Sequence, residues 1–141
     1  MTARKRPQKR RDSYTFAGIP HAVLKTRKYA DLSAWAVKLL LDITAQYTGH
    51  NNGDMQAAWT CMQKRGWRSK ATLYRATDEL LEAGFIVKTR QGGRNRCSLF
   101  AITWQPIDEC IDKRTKAHKL DTRPTTTAPG LWKDEPQKEA A

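Results

Sequence analysis

Basic and amide side chains cluster at two places in the sequence where they can bind phosphate groups and the edges of nucleic-acid bases. The first group surrounds the start of an amphipathic segment and consists of Arg68, Ser69, Lys70, Thr72 and Arg75. The second occupies a glycine-rich turn and consists of Arg90, Gln91, Arg94, Asn95 and Arg96. Arginine can donate two hydrogen bonds to guanine, and side chains of both groups suit phosphate oxygens. Both groups are therefore candidate nucleic-acid contacts. Ser69 is also a candidate helix cap.

Catalytic chemistry is a weaker interpretation of this sequence. Gly92 and Gly93 lie between two predicted strands and not before a helix, so they do not form a phosphate-binding glycine loop. No nucleophile stands with a histidine and an acid at the spacing of a known catalytic motif. Asp78, Glu79 and Glu82 cluster, but a solvated helix face explains them better than paired catalytic carboxylates. We therefore expect a binding protein that is not an enzyme.

Positive charge is unevenly distributed along the 141 residues, whose formal net charge is +12. Residues 105–141 carry seven basic and seven acidic side chains, so residues 1–104 hold the remaining 19 basic and seven acidic ones. A basic region beside a neutral one indicates a polyanionic partner, and nucleic acid is the commonest. The alternative is a basic protein whose charge only keeps it dissolved.

The cysteines and histidines fit neither a metal centre nor a disulfide framework. Cys61, Cys97 and Cys110 form no closely spaced pair, and the three histidines are scattered. Each cysteine is predicted to be a small buried apolar residue in a reducing compartment. No apolar stretch reaches the roughly 18 residues of a membrane helix, and the basic N terminus is not followed by a hydrophobic segment. We expect a cytoplasmic protein without a metal, a cofactor or a membrane partner.

The hydrophobic pattern predicts the elements that would hold the two basic groups. Residues 30–47 form a helix that Asp31 or Ser33 caps, with Lys38 and Asp42 paired on its outer face. A short strand over residues 55–58, which is expected to pair with the hairpin described below, and a short helix over residues 59–66 follow. A longer helix, residues 69–83, turns its leucines to the core and its basic residues outward, and it ends at Gly84.

A hairpin and two flanking segments complete the predicted organisation. Residues 85–90 and 96–104 alternate with period two on either side of the glycine-rich turn, as the strands of a hairpin do. Residues 1–13 are expected to form a disordered basic arm, and residues 105–141 a mostly disordered tail with room for a short helix near 107–119. Residues 4–11 of the arm are candidates to follow the minor groove of DNA, with Arg4, Lys5 and Arg6 as contacts. The alternative is a nonspecific polycation without a defined contact.

The tryptophans are assigned by their surroundings in the sequence. Four of them, Trp35, Trp59, Trp67 and Trp104, are predicted to be core residues, and stacking on unpaired bases is the lesser alternative. Trp132 stands in the tail beside Leu131, where it is predicted to anchor a protein partner.

Residues 31–104 resemble a winged helix–turn–helix domain of the kind found in bacterial, phage and plasmid regulators and replication initiators. The resemblance is carried by Gly66-Trp67-Arg68-Ser69, by Leu80-Leu81-Glu82-Ala83-Gly84-Phe85-Ile86, and by Thr89-Arg90-Gln91-Gly92-Gly93. The loop Asn51-Asn52-Gly53-Asp54 also resembles one in phage-associated members of this group. The resemblance as a whole implies an α+β fold with three helices and a β-hairpin wing over residues 14–104.

The same resemblance implies how such a protein would work. Its second helix would enter the major groove of DNA, commonly with the protein as a homodimer. The expected function is sequence-specific binding of double-stranded DNA by a transcriptional repressor. Binding of a replication origin is an alternative, and so is a winged helix that docks on a protein without binding DNA. Structured RNA is a further possible ligand.

Overall fold

Helix α3, Ala34–Thr44, lies at the centre of the hydrophobic core. The structure is a computed structural model that describes residues 14–135. Ser33 caps α3, because its hydroxyl accepts a hydrogen bond from the N–H of Ala36 at 3.2 Å. The helix is shorter than the predicted residues 30–47, and its apolar residues Leu39, Leu40 and Ile43 are all buried.

Two one-turn helices precede α3. The sequence allowed either an extended segment or a short turn of helix over residues 14–24, and it did not predict the second of the two helices. They are α1, His21–Leu24, and α2, Arg27–Ala30. The described residues therefore contain five α-helices instead of the predicted three. A single turn is too short to repeat an apolar stripe, so hydrophobic periodicity cannot reveal it. None of the five is long and apolar enough to span a membrane.

Two consecutive helical segments follow the first strand, as the sequence predicted. Helix α4, Trp59–Met62, continues into a turn of 3-10 helix, Gln63–Arg65. Gly66 then turns the chain with a φ of 91°, a backbone conformation that glycine adopts without strain. Helix α5, Lys70–Ala83, comes next and packs on α3.

Helix α5 has the ends and the buried face that the sequence predicted. The hydroxyl of Ser69 accepts a hydrogen bond from the N–H of Thr72 at 3.3 Å and so caps the first turn. Gly84 ends the helix in the left-handed conformation, with a φ of 82°. Leu73 and Leu80 are fully buried, so the opposite face of the helix remains outside the core.

A three-stranded antiparallel sheet completes the mixed α+β structure. Its strands are β1, Met55–Gln56, β2, Ile86–Arg90, and β3, Leu99–Ile102, in the order β1-β3-β2. The predicted pairing of the short first strand with the hairpin is confirmed, since Met55 lies opposite Phe100. A register shift between Lys88 and Arg90 shows a bulge in β2.

The described part of the C-terminal segment is ordered and packs on the domain, which corrects the prediction of a disordered tail. Ile107 and Cys110 are each only 7% exposed. Residues 107–119 contain no helix; an isolated bridge joins Ile111 to His118 instead. The segment also covers the free edge of β2, where Asp121 donates its backbone N–H to the carbonyl of Thr89 at 2.8 Å. These contacts join distant residues, so local composition gave no sign of them.

Trp132 lies within this ordered segment and packs against the protein's own core. Its surroundings are fixed on both sides: Gly130 donates its N–H to the carbonyl of Thr103 at 2.9 Å, and the Asp134 carboxylate accepts from the N–H groups of Arg27 and Lys28. The indole is partly buried there. Trp132 is therefore occupied within its own chain and not displayed as the free peptide anchor that was predicted.

Candidate nucleic-acid interface

The outer face of the first half of α5 presents the first group of basic residues to solvent. Arg68, Lys70 and Arg75 are exposed, Ser69 caps the helix from its exposed position, and Thr72 is half-buried. Leu73 lies on the opposite side, fully buried. The five residues of this predicted group thus lie accessible around the start of α5, and together we call them the α5 basic face; Arg68 and Thr72 line one side of it, whereas Lys70 lies toward Trp59. A helix exposed along one side can enter a DNA groove.

The cations of the α5 basic face lack acidic partners within residues 14–135. None of Arg68, Lys70 and Arg75 forms an ion pair there, and the Lys70 Nζ lies 6.0 Å from the centre of the Trp59 ring. Cations near a helix N terminus are slightly disfavoured by the helix dipole. An external anion would offset that cost and would satisfy these side chains.

A buried carboxylate fixes the turn that leads into α5. Asp42 is only 6% exposed and accepts hydrogen bonds from Trp67 Nε1 at 2.8 Å, Lys38 Nζ at 2.9 Å and Arg65 Nε at 3.0 Å. Burial acts to raise the pKa of Asp42, but these hydrogen bonds outweigh it, so the pKa lies below its usual value. The pairing with Lys38 was predicted, whereas the burial of Asp42 was not, because the outer face of α3 is covered by Trp67 and Arg65 from a distant part of the chain.

The hairpin between β2 and β3 has the predicted tip. Gly93 and Arg96 exchange backbone hydrogen bonds of 2.9 and 3.1 Å, so Arg94 and Asn95 form the turn between them. Asn95 has a φ of 58°, a left-handed conformation that asparagine tolerates better than most residues. Arg94 is exposed and forms no ion pair with any described residue.

The other hairpin candidates make contacts inside the protein. The guanidinium of Arg90 donates to the carbonyl of Cys97 from Nη2 at 2.9 Å, which braces the bulge. The Asp121 carboxylate accepts from the backbone N–H of Gln91 at 2.9 Å, and its other oxygen lies 3.5 Å from the Arg96 Nη2. Of the five predicted hairpin residues, Arg94 and Asn95 are therefore the ones most available to a ligand.

Helix α5 and the hairpin border one open groove of about 330 Å³. The helix lines it with Tyr74, Thr77 and Asp78, while the hairpin contributes Lys88 and Ser98. This shared groove shows that the base of the hairpin lies beside the side of α5 that carries Tyr74 and Asp78.

Trp35 differs from its predicted place in the core. It is 49% exposed on the first turn of α3, whereas Trp67 and Trp104 are buried as predicted and Trp59 is partly buried against the core. Its indole rests on that of Trp67, with ring centres 5.2 Å apart. Trp67 already occupies the space beneath it, so one side of Trp35 stays in solvent.

The remaining candidates concern the arm, the cysteines and metal binding. Arg4, Lys5 and Arg6 lie outside the described residues. Cys110 is buried as predicted, whereas Cys61 and Cys97 are only half-buried. Burial, with the charges of Asp54 and Asp108, raises the pKa of the Cys110 thiol to about 11. Across residues 14–135, no cluster of side chains is arranged to hold a metal ion.

Comparison with family models, with curated proteins and with solved structures found no match to this chain.

Proposed function

We propose that this protein is a winged helix–turn–helix protein that binds specific sequences of double-stranded DNA and regulates transcription. The observation that carries the proposal is the α5 basic face. It places Arg68, Lys70 and Arg75 on the exposed side of a capped, well-packed helix, without acidic partners among the described residues. Arginine and lysine in such a position can reach guanine edges in a major groove and the phosphates beside it.

The order of elements supports the winged-helix part of the proposal. Helix α3, strand β1, helices α4 and α5, and then a hairpin, with a β1-β3-β2 sheet, form the arrangement expected of such a domain. Helix α5 would be the recognition helix, and the hairpin would be the wing. Arg94 at the hairpin tip would then bind the phosphate backbone next to the groove that α5 occupies.

The buried Asp42 supports recognition by a rigid surface. It ties α3 to Trp67, the residue two positions before the Ser69 cap. The start of α5 is therefore held by hydrogen bonds in addition to apolar packing. A side chain reads a base reliably only when the backbone that carries it has a fixed position.

Fluorescence anisotropy with a labelled duplex tests the proposal. Replacing Arg68 and Arg75 together by alanine should weaken binding at least about tenfold, because both side chains would lie in the major groove of the DNA in the proposed complex. A matched control replaces Lys113 and Arg114, two exposed basic residues of the C-terminal segment, and removes the same charge. The control should change affinity less than about threefold at physiological salt. Equal losses in the two variants would mean that binding depends on overall charge and not on the α5 basic face.

The same assay distinguishes the proposal from its three alternatives, which are RNA binding, origin binding and protein docking. Tighter binding to a double-stranded RNA of the same sequence would favour the RNA alternative, and tight binding to a replication origin would favour an initiator. If the protein binds neither duplex at low salt, the proposal is contradicted and the docking module becomes the better alternative. Retention on DNA with a steep salt dependence is the result that the proposal predicts, since phosphate contacts release counterions.

A further inference from the structure

An aromatic surface is exposed next to the α5 basic face. Trp35 is 49% exposed, while Trp67 beneath it is 2% exposed. The two ring centres are 5.2 Å apart and the rings are inclined by 44°. A tryptophan that packs on a second tryptophan and still has half of its surface in water is a candidate platform for another flat group.

The support beneath this platform is fixed. Trp67 donates its indole N–H to buried Asp42 at 2.8 Å, and the Lys38 Nζ lies 5.6 Å from the Trp67 ring centre. Trp67 therefore cannot turn without breaking a charge-assisted hydrogen bond. Trp35 has a rigid neighbour on one side and an open face on the other.

The open face borders a groove of about 450 Å³. Its lining comprises Trp35, Gly66, Trp67, Arg68, Ser69 and Thr72. Gly66 leaves space there, because a Cβ at this position would meet no atom within 4 Å. Arg68 brings a positive charge to the lining, and Thr72 brings a hydroxyl group. The groove thus combines aromatic surface with a cation, which matches a flat base attached to a negatively charged phosphate.

We propose that this groove binds one unpaired nucleobase of single-stranded DNA that adjoins the duplex on the α5 basic face. The proposal rests on the proposed function, because Arg68 and Thr72 belong to both surfaces. Its occupant is single-stranded because every base inside a duplex is already stacked between its neighbours. Taking a base out of an intact duplex costs a few kcal/mol, so the groove favours DNA that is already open.

A protein with this groove would prefer a junction between duplex and single strand. Stacking of a base on an aromatic side chain contributes enough to alter affinity by roughly 5- to 150-fold. Such a preference suits a protein that binds DNA at a site of strand opening, which is the setting of the origin-binding alternative.

The test compares a blunt duplex with the same duplex carrying a short single-stranded extension, both fluorescently labelled. The affinities are compared at high salt, which reduces the contribution of the added phosphates. Under these conditions the wild-type protein should bind the extended duplex about tenfold more tightly than the blunt one. Trp35→Ala should remove this preference and leave affinity for the blunt duplex nearly unchanged. Leu41→Ala is the matched control, because Leu41 is 50% exposed on the same helix; it should keep the preference.

A second measurement covers the case in which Trp35→Ala fails to fold. A 2-aminopurine base placed in the extension reports stacking directly, and its fluorescence should fall when wild-type protein binds. Equal affinity for the two duplexes, a preference that survives Trp35→Ala, or unchanged 2-aminopurine fluorescence on the bound extension would each overturn the proposal. If the blunt duplex is not bound while the extension is, and Trp35→Ala abolishes that binding, the groove assignment stands and the duplex-binding proposal fails.

Discussion

Replacing Asp42 by asparagine tests whether a buried carboxylate holds the start of α5 in place. The change keeps the size of the side chain but removes its charge, and one of the new amide's two polar atoms can no longer accept a hydrogen bond. In the wild-type protein, Asp42 accepts hydrogen bonds from Trp67, Lys38 and Arg65 at 2.8, 2.9 and 3.0 Å. Lys38 and Arg65 are 37% and 48% exposed, so water can replace the carboxylate for them. The indole N–H of Trp67 is buried and has no such replacement.

The expected cost is about 2 kcal/mol in the free energy of unfolding. The asparagine carbonyl can still accept from Trp67, but a hydrogen bond to a charged group contributes roughly 1.5–3 kcal/mol against 0.5–1.5 for a neutral one, so about 1 kcal/mol is lost there. The amide NH2 group then faces the N–H of Arg65 and adds a cost of about the same size. The melting temperature should therefore fall by roughly 6–12 °C. Asp31→Asn is the matched control, because it removes an ion pair to Arg27 whose side chains are 82% and 62% exposed. That control should cost less than about 1 kcal/mol.

The pH dependence gives the same prediction a second measurement. Because the pKa of Asp42 is lowered in the folded state, its charged form adds stability above its unfolded pKa. That contribution is lost as the pH falls through the lower, folded pKa. The stability gap between wild type and Asp42→Asn, measured by urea unfolding, should thus be full at neutral pH and shrink below about pH 4. A cost no larger than that of Asp31→Asn, or a gap that widens in acid, would refute this account of Asp42.

Two further variants test the role of the C-terminal segment. Asp121→Asn should release Arg96 to bind a phosphate, so binding to all duplexes should tighten. The slope of log affinity against log salt concentration should also steepen by roughly 0.9. Weaker binding would mean that the carboxylate instead holds the hairpin in its active shape. Gly84→Ala should destabilise the fold by more than about 1 kcal/mol in urea unfolding, because the φ at Gly84 is 82° and a Cβ there would overlap the carbonyl of Leu131. Gly66→Ala is its control, since Gly66 has a similar φ of 91° but a Cβ there meets no atom within 4 Å; equal costs would show that the Leu131 contact does not matter.

The residues that could be predicted from sequence are those whose role is set by near neighbours. Ser33 and Ser69 cap helices through bonds that span three residues, and Gly66 and Gly84 turn the chain where the apolar pattern stops. The hairpin followed from alternation around Gly92 and Gly93. These signals lie within a few positions of each other, so a single sequence contains them in full.

The residues that could not be predicted depend on partners far along the chain. Asp42 is buried because Trp67, 25 positions away, donates to it. The Asp121 carboxylate accepts a hydrogen bond from Gln91, which lies 30 positions away in the sequence. Trp132 packs against the core although no periodic apolar pattern surrounds it. Trp35 is exposed because Trp67 already fills the site beneath it. From the sequence alone, the two acids could not be distinguished from ordinary surface residues. The positions of the two tryptophans could not be predicted either.

Selection of bound molecules from a random duplex library tests the central claim most directly. The account predicts that the protein enriches a short motif, and that Arg75→Ala, which alters one exposed side chain of α5, relaxes the preference at one or two positions of that motif while the rest persists. A library that emerges from repeated selection with its sequence still random would contradict sequence-specific recognition by the α5 basic face. A motif that Arg75→Ala leaves unchanged at every position would remove that residue from base readout.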